Sequence, residues 1–174
     1  MKLLLENWRQ YLKESIGREI WYHLTTPDRA ELIEKEGLKI NQESCLTTET
    51  GKWAKEYYGI CPIYLSLEPY VEREELPEWL ENAVLFEVDV TGMPLVADLQ
   101  MLIDKGAMVD QDLEMLWWEE DEEPETLKEF SEDGAIEISR LLNDPDVIDA
   151  AIRTTKTAAI MEDVLPKQIK RSDY

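Results

Sequence analysis

The chain has one histidine, His23, and two cysteines, Cys45 and Cys61, which stand 16 positions apart with no CxxC pair. That excludes an ordinary zinc site of Cys and His ligands, and no metal is expected. One disulfide between them stays open, but nothing in the sequence suggests secretion, so both thiols are expected to be reduced. Positive charge is scarce: 18 Lys and Arg stand against 39 Asp and Glu, a net charge of −21. Affinity for nucleic acid comes mainly from Lys and Arg displacing counterions, so a nucleic-acid partner is disfavoured. The plainer meaning of this charge is solubility and suppression of non-specific contact. The sharper one is an acidic surface that engages a basic protein or imitates DNA. No apolar run approaches the length of a membrane span. The opening residues, MKLLLENWRQYLKES, lack the long apolar stretch and small-residue cleavage site of a secretory signal. The expected setting is cytoplasmic, without membrane association.

Apolar residues make up 44% of the 174 positions, enough for a packed core. No internal repeat or low-complexity linker divides the chain. One domain is therefore expected over 18–174, preceded by an amphipathic helix within 1–17. In that helix Leu4, Trp8, Tyr11, Leu12 and Ser15 recur at helical spacing before Gly17. It is either packed on the core or a separable docking tag.

Glu19–Thr25 (EIWYHLT) reads as a strand. Alternation sets Tyr22 and Leu24 on one face, and Trp21, His23 and Thr25 on the other. Thr26 and Pro27 then open a helix through Ala30 and Ile33 that Gly37 closes. Leu38–Ile40 is a short extended piece. Thr47 or Thr48 caps a second helix through Trp53, Ala54 and Tyr57, ended by Gly59. Pro62–Leu67 and Ala83–Val90 are strands, with a turn of helix at Pro77–Leu80 between them. From Leu95 to Leu142 the chain reads as mostly helical, with Trp117 and Trp118 anchoring it and a solvated acidic run at Glu119–Glu123. Asn143-Asp144-Pro145 reads as a breaker, followed by strands at Val147–Arg153, Thr157–Met161 and Pro166–Lys170.

Tyr22-His23-Leu24-Thr25, followed by Pro27, Ala30, Ile33 and Glu36-Gly37-Leu38, resembles the opening motif of the ADP-ribosyltransferase superfamily. Within it, the similarity is to the branch around RNA 2′-phosphotransferases and DarT-like toxins. Leu46-Thr47-Thr48 with Trp53–Gly59 is similar to the family's second element, and Thr157–Ile169 to its closing strand and corner. The resemblance covers roughly 19–91 and 147–170, and makes about 95–142 an insertion. It implies an α+β fold with a split pair of small antiparallel sheets, surrounding helices and an acidic helical insertion. It also implies NAD as substrate, held in a cleft between the sheets, and a macromolecular target such as a protein. The opening LLENWRxYL is similar to N-termini of tailed-phage proteins, implying a phage-encoded member in a host cytoplasm or virion.

Breaking the nicotinamide–ribose bond builds an oxocarbenium ion, which a fixed carboxylate stabilises. Oriented hydroxyl contacts hold the ribose, and an aromatic face suits the cationic ring. Carried over residue by residue, the resemblance implies that His23, Thr25 and Tyr22 bind the cofactor. Tyr57 or Tyr58 would take the stacking position, Ser66 would be a polar neighbour, and Arg153 would bind phosphate. The family's closing-strand glutamate is replaced by Ala158. Glu162 is the nearest acid in sequence, with Glu87 and Asp89 as alternatives on a neighbouring strand. Two expectations stand side by side: an NAD-dependent transferase using Glu162 and Tyr57, or an inactive copy of the fold acting as a binding or virion-associated module through its acidic surface.

Overall fold

The computed structural model describes residues 20–42, 49–69, 82–119 and 122–172. The expected helix 2–15, the helical turn at 77–80 and the capping residues Thr47 and Thr48 lie outside these.

Strand β1 (Ile20–Thr25) leads through Pro27 into helix α1 (Pro27–Glu36), and helix α2 (Glu49–Tyr58) precedes β2 (Ile63–Ser66). Then come β3 (Val84–Asp89), β4 (Leu95–Ala97), helix α3 (Leu99–Asp104), β5 (Met108–Val109), β6 (Met115–Trp117) and β7 (Ala135–Glu137). Helices α4 (Ile138–Asn143) and α5 (Pro145–Thr155), then β8 (Thr157–Ile160) and β9 (Ile169–Arg171), complete the order. The fold is α+β with two antiparallel sheets. One has the order β4-β8-β2-β1-β3-β9 and the other β5-β6-β7. No described helix is long and apolar enough to cross a membrane.

Burial does not alternate strictly in β1, where Tyr22, His23 and Leu24 are all half-buried. Trp21 and Thr25 are buried, and Trp21 shares a packed cluster with Val84, Phe86 and Val88 of β3. The same cluster takes Ile63 and Leu65 of β2, Ala158 and Ile160 of β8, and Ile148 and Ile152 of α5. Gly37 ends α1 at φ 83°, a conformation that suits glycine. Its neighbour Leu38 bridges Val164, with Leu38 N–H donating to the Val164 carbonyl at 3.0 Å and the return bond at 2.9 Å.

Four expectations need correction. Residues 95–142 are not mostly helical. They carry four short strands and two six-residue helices, the second ending at Asn143, around a core of Leu102, Leu116, Leu127, Ile136 and Leu141. Of the tryptophan pair only Trp118 is buried; Trp117 is exposed. Val147–Arg153 is helix, not strand. Asp144 and Pro145 start a helix there: the Asp144 side chain accepts from Asp146 N–H, and Pro145 occupies the first turn. Val147, Ile148, Ala151, Ile152 and Thr155 then form one buried stripe at helical spacing. Finally, Cys61 is disulfide-bonded, because separation along the chain does not fix separation in space. The chain's other cysteine, Cys45, lies outside the described residues. A disulfide is more at home in an oxidising compartment than in the cytosol.

Candidate functional site: a cleft where the sheet opens

The six-stranded sheet is not evenly knit. β1 pairs with β3 at every residue from Ile20 to Thr25. Its registered pairing with β2 is confined to Tyr22 with Ser66. Past Tyr22 no further pair is registered, and the His23 side chain reaches across, its Nδ1 lying 3.0 Å from the Tyr64 carbonyl oxygen. A carbonyl can only accept, so Nδ1 carries the proton. Burial pushes the imidazole pKa below its ordinary value, against the opposing pull of the Tyr64 carbonyl, and the nearby Arg29 guanidinium lowers it further. A neutral ring protonated at Nδ1 leaves Nε2 as an acceptor.

Beside these strands lies a cleft of about 760 Å³, within the range of small-molecule sites. β1 contributes Tyr22, His23, Leu24 and Thr25, and β2 contributes Ile63, Tyr64, Leu65 and Ser66. Helix α1 supplies Arg29, Leu32 and Ile33, and the far wall brings Asp98, Gln100, Met101 and Thr157. The walls are therefore largely apolar, with polar groups at a few points. Arg29 is exposed and has no ion-pair partner among the described residues. Lys39, another lining cation, is held by Asp163 at 3.1 Å.

Asp98 is the feature that sequence reasoning missed. It follows β4, where Ala97 pairs with Ala158 of β8, so it lies next to Thr157. It is 4% exposed. Its Oδ1 accepts from Met101 N–H at 3.1 Å, capping α3. Burial raises its pKa above the ordinary carboxyl value; the Met101 N–H and the Thr157 hydroxyl pull the other way. The Tyr64 hydroxyl is held above the usual phenol range, chiefly by burial and then by the Asp98 charge. The Tyr64 hydroxyl is shut from solvent without a hydrogen-bond partner among the described residues, and Thr157 Oγ1, also shut from solvent, faces the Asp98 carboxyl. With 95–142 read as mostly helical, the sequence reading had no helix start at Asp98 to mark it as an N-cap.

Of the residues carried over by resemblance, His23, Thr25, Tyr22 and Ser66 line this cleft. Tyr57, Tyr58, Arg153 and Glu162 do not. Tyr57 and Tyr58 belong to the apolar cluster around α2, α4 and β4. Tyr58 is committed there, donating to the Ala97 carbonyl at 2.8 Å and accepting from Leu99 N–H at 3.0 Å. It thereby pins both sides of Asp98. Arg153 is paired with Asp149 at 3.1 Å on the exposed side of α5. Glu162 sits in the turn after β8, and Glu87 and Asp89 lie on β3 outside the cleft lining. Ala158 is fully buried, registered between Leu65 and Ala97. No group of His, Cys, Asp and Glu suited to a metal ion occurs among the described residues. No protein-family model, curated protein or solved structure matches the chain.

Proposed function

We propose that this chain is an ADP-ribosyltransferase-like protein that binds NAD in the cleft beside His23. The observation that carries the reading is the one-sided pairing of β1, which is registered with β3 along its length and with β2 only at Tyr22, within the Tyr-His-Leu-Thr motif. The cleft has the volume for a dinucleotide's reacting half, apolar walls for a ring, and the unpaired Arg29 for a phosphate. His23 Nε2, as an acceptor, suits a ribose hydroxyl. In the reaction, nicotinamide leaves with the bonding electrons and the acceptor's nucleophile bonds to the ribose carbon, releasing its proton. A carboxylate near that carbon lowers the barrier. Glu162 and Tyr57 are poor candidates for this work, since both lie away from the cleft lining.

A second reading is an inactive, ligand-binding copy of the fold whose acidic surface engages a protein. Ala158 at the expected glutamate position, locked into the packed sheet, favours it. The experiment is incubation with NAD labelled in the adenylate and a bacterial lysate. Label transferred to a macromolecule supports the transferase. Binding of NAD without transfer supports the module. Neither binding nor transfer rejects NAD as the ligand.

A further inference from the structure

The three-stranded sheet turns one face to the core and the other to solvent. Val109, Leu116 and Ile136 stand side by side in register on the inner face, packed into one apolar cluster. Alternation turns their strand neighbours outward. There Trp117 stands between Met108 of β5 and Ala135 of β7, with Met115 two residues away on its own strand. Trp117 is 41% exposed, and the other three are half-buried. One exposed indole alone would need no explanation, but four apolar residues adjoining on one sheet face make a patch.

Carboxylates frame this patch. Asp110 Oδ1 accepts from Met115 N–H at 3.0 Å, and the exposed Glu137 stands opposite Met115 on β7. From Gly106 to Leu127 the chain has nine Asp and Glu and no Lys or Arg, and from Glu129 to Ser139 it again has no Lys or Arg. Lys128 is held by Glu125 and Arg140 by Asp144, each at 3.0 Å, so these neighbouring cations do not neutralise the frame.

That charge selects the occupant. A second copy of the chain would bring two acidic frames together, and a nucleic acid or anionic lipid would bring phosphates against one. Like charges juxtaposed across an interface are costly. A cationic polypeptide gains twice. Its apolar side chains cover Trp117 and its neighbours, while its Lys and Arg meet Asp110 and Glu137 and stack on the indole. We infer that the outer face of β5-β6-β7 is a docking surface for a basic protein segment with apolar side chains among its Lys and Arg. None of the residues on this face lines the cleft, so the inference is independent of what the cleft binds.

Fluorescence anisotropy of a short labelled peptide of alternating Lys and Leu, titrated with the full chain, tests it. Lys–Ser and Glu–Leu peptides of the same length are the comparisons. The Lys–Leu peptide is expected to bind, the Lys–Ser peptide about tenfold or more weakly, and the Glu–Leu peptide not at all. Trp117→Ser should weaken Lys–Leu binding about tenfold or more. Glu137→Lys should weaken it several-fold. Glu31→Lys, the same charge change at an exposed position of α1, should leave it within about twofold, because salt screens distant charges. If Trp117→Ser does not fold, Glu137→Lys against Glu31→Lys carries the comparison. Equal weakening by the two charge reversals, with Trp117→Ser unchanged, reduces the binding to net charge and overturns the docking face. No binding of the Lys–Leu peptide at millimolar concentration also overturns it. A dimer in sedimentation that Trp117→Ser dissolves gives the face to a second copy and overturns the basic partner. Protection of Trp117 from hydroxyl-radical oxidation in the monomeric full chain alone gives the face to another part of this chain, with the same consequence.

Discussion

The two edges of β1 meet their neighbouring strands differently. Toward β3 the strand is registered from Ile20 to Thr25, and Trp21 packs with the fully buried Phe86. Toward β2 it is registered at Tyr22, after which an imidazole replaces the backbone ladder. At the closed edge the backbone ladder runs the length of the strand. The open edge leaves polar groups facing a cleft, and there His23, Asp98, Tyr64 and Thr157 gather.

The largest effect is expected at the closed edge. Phe86→Ala should lower stability by about 3–5 kcal/mol, since a fully buried aromatic is removed and the cavity cannot collapse against a paired strand. Denaturant titration measures it. His23→Ala, at the open edge, should cost about 0.5–1.5 kcal/mol, the worth of one hydrogen bond. Equal losses at the two positions would break the comparison, because the open edge would then be as structural as the closed one.

Next comes the cleft wall at Gly37. A side chain there meets both a positive φ and the Val164 carbonyl oxygen. Gly37→Ala should cost about 1–3 kcal/mol and loosen the Leu38–Val164 bridge. Amide hydrogen exchange at Leu38 and Val164 reports the loosening; unchanged protection there would remove Gly37 from the account of the wall.

A smaller effect concerns acid. The His23 pKa is lower in the folded chain than its ordinary 6.5. The folded state therefore holds fewer protons than the unfolded one, and this contribution to stability is present above 6.5 and lost as pH falls from there through the folded value. In His23→Gln the fall in denaturant midpoint just below pH 6.5 should be shallower than in wild type. Identical slopes would show that the ring is as accessible to protons as in the unfolded chain. Asp98 runs the other way: its pKa is raised, so its charge opposes folding at neutral pH. Asp98→Asn should leave stability unchanged or slightly higher in the same titration.

Much of this division was legible in the sequence, and the part that was not has physical causes. The strands at 20–25, 63–66, 84–89 and 157–160 follow from runs of strand-forming residues bounded by turn residues. The α5 stripe was missed because Asp144-Pro145 ends one helix and starts the next, and a breaker and an initiator use the same residues. The short strands of 95–142 were missed because two- and three-residue strands are set by their partners, not by local pattern. Tyr57 and Tyr58 looked like ring-stacking residues; burial of their helix face is a tertiary fact. Asp98 escaped notice for a related reason. Nothing local distinguishes a capping aspartate on the surface from one at the base of a cleft.

The most direct test of the cleft's role is thermal unfolding of the wild-type chain with and without NAD. A ligand that binds the folded state alone, at a hundred times its dissociation constant, stabilises by about 2.7 kcal/mol. For a domain of this size that raises the melting temperature by roughly 5–11 °C. The account predicts such a rise in wild type and a much smaller one in His23→Ala at the same NAD concentration. An unchanged melting temperature in wild type at millimolar NAD would contradict it.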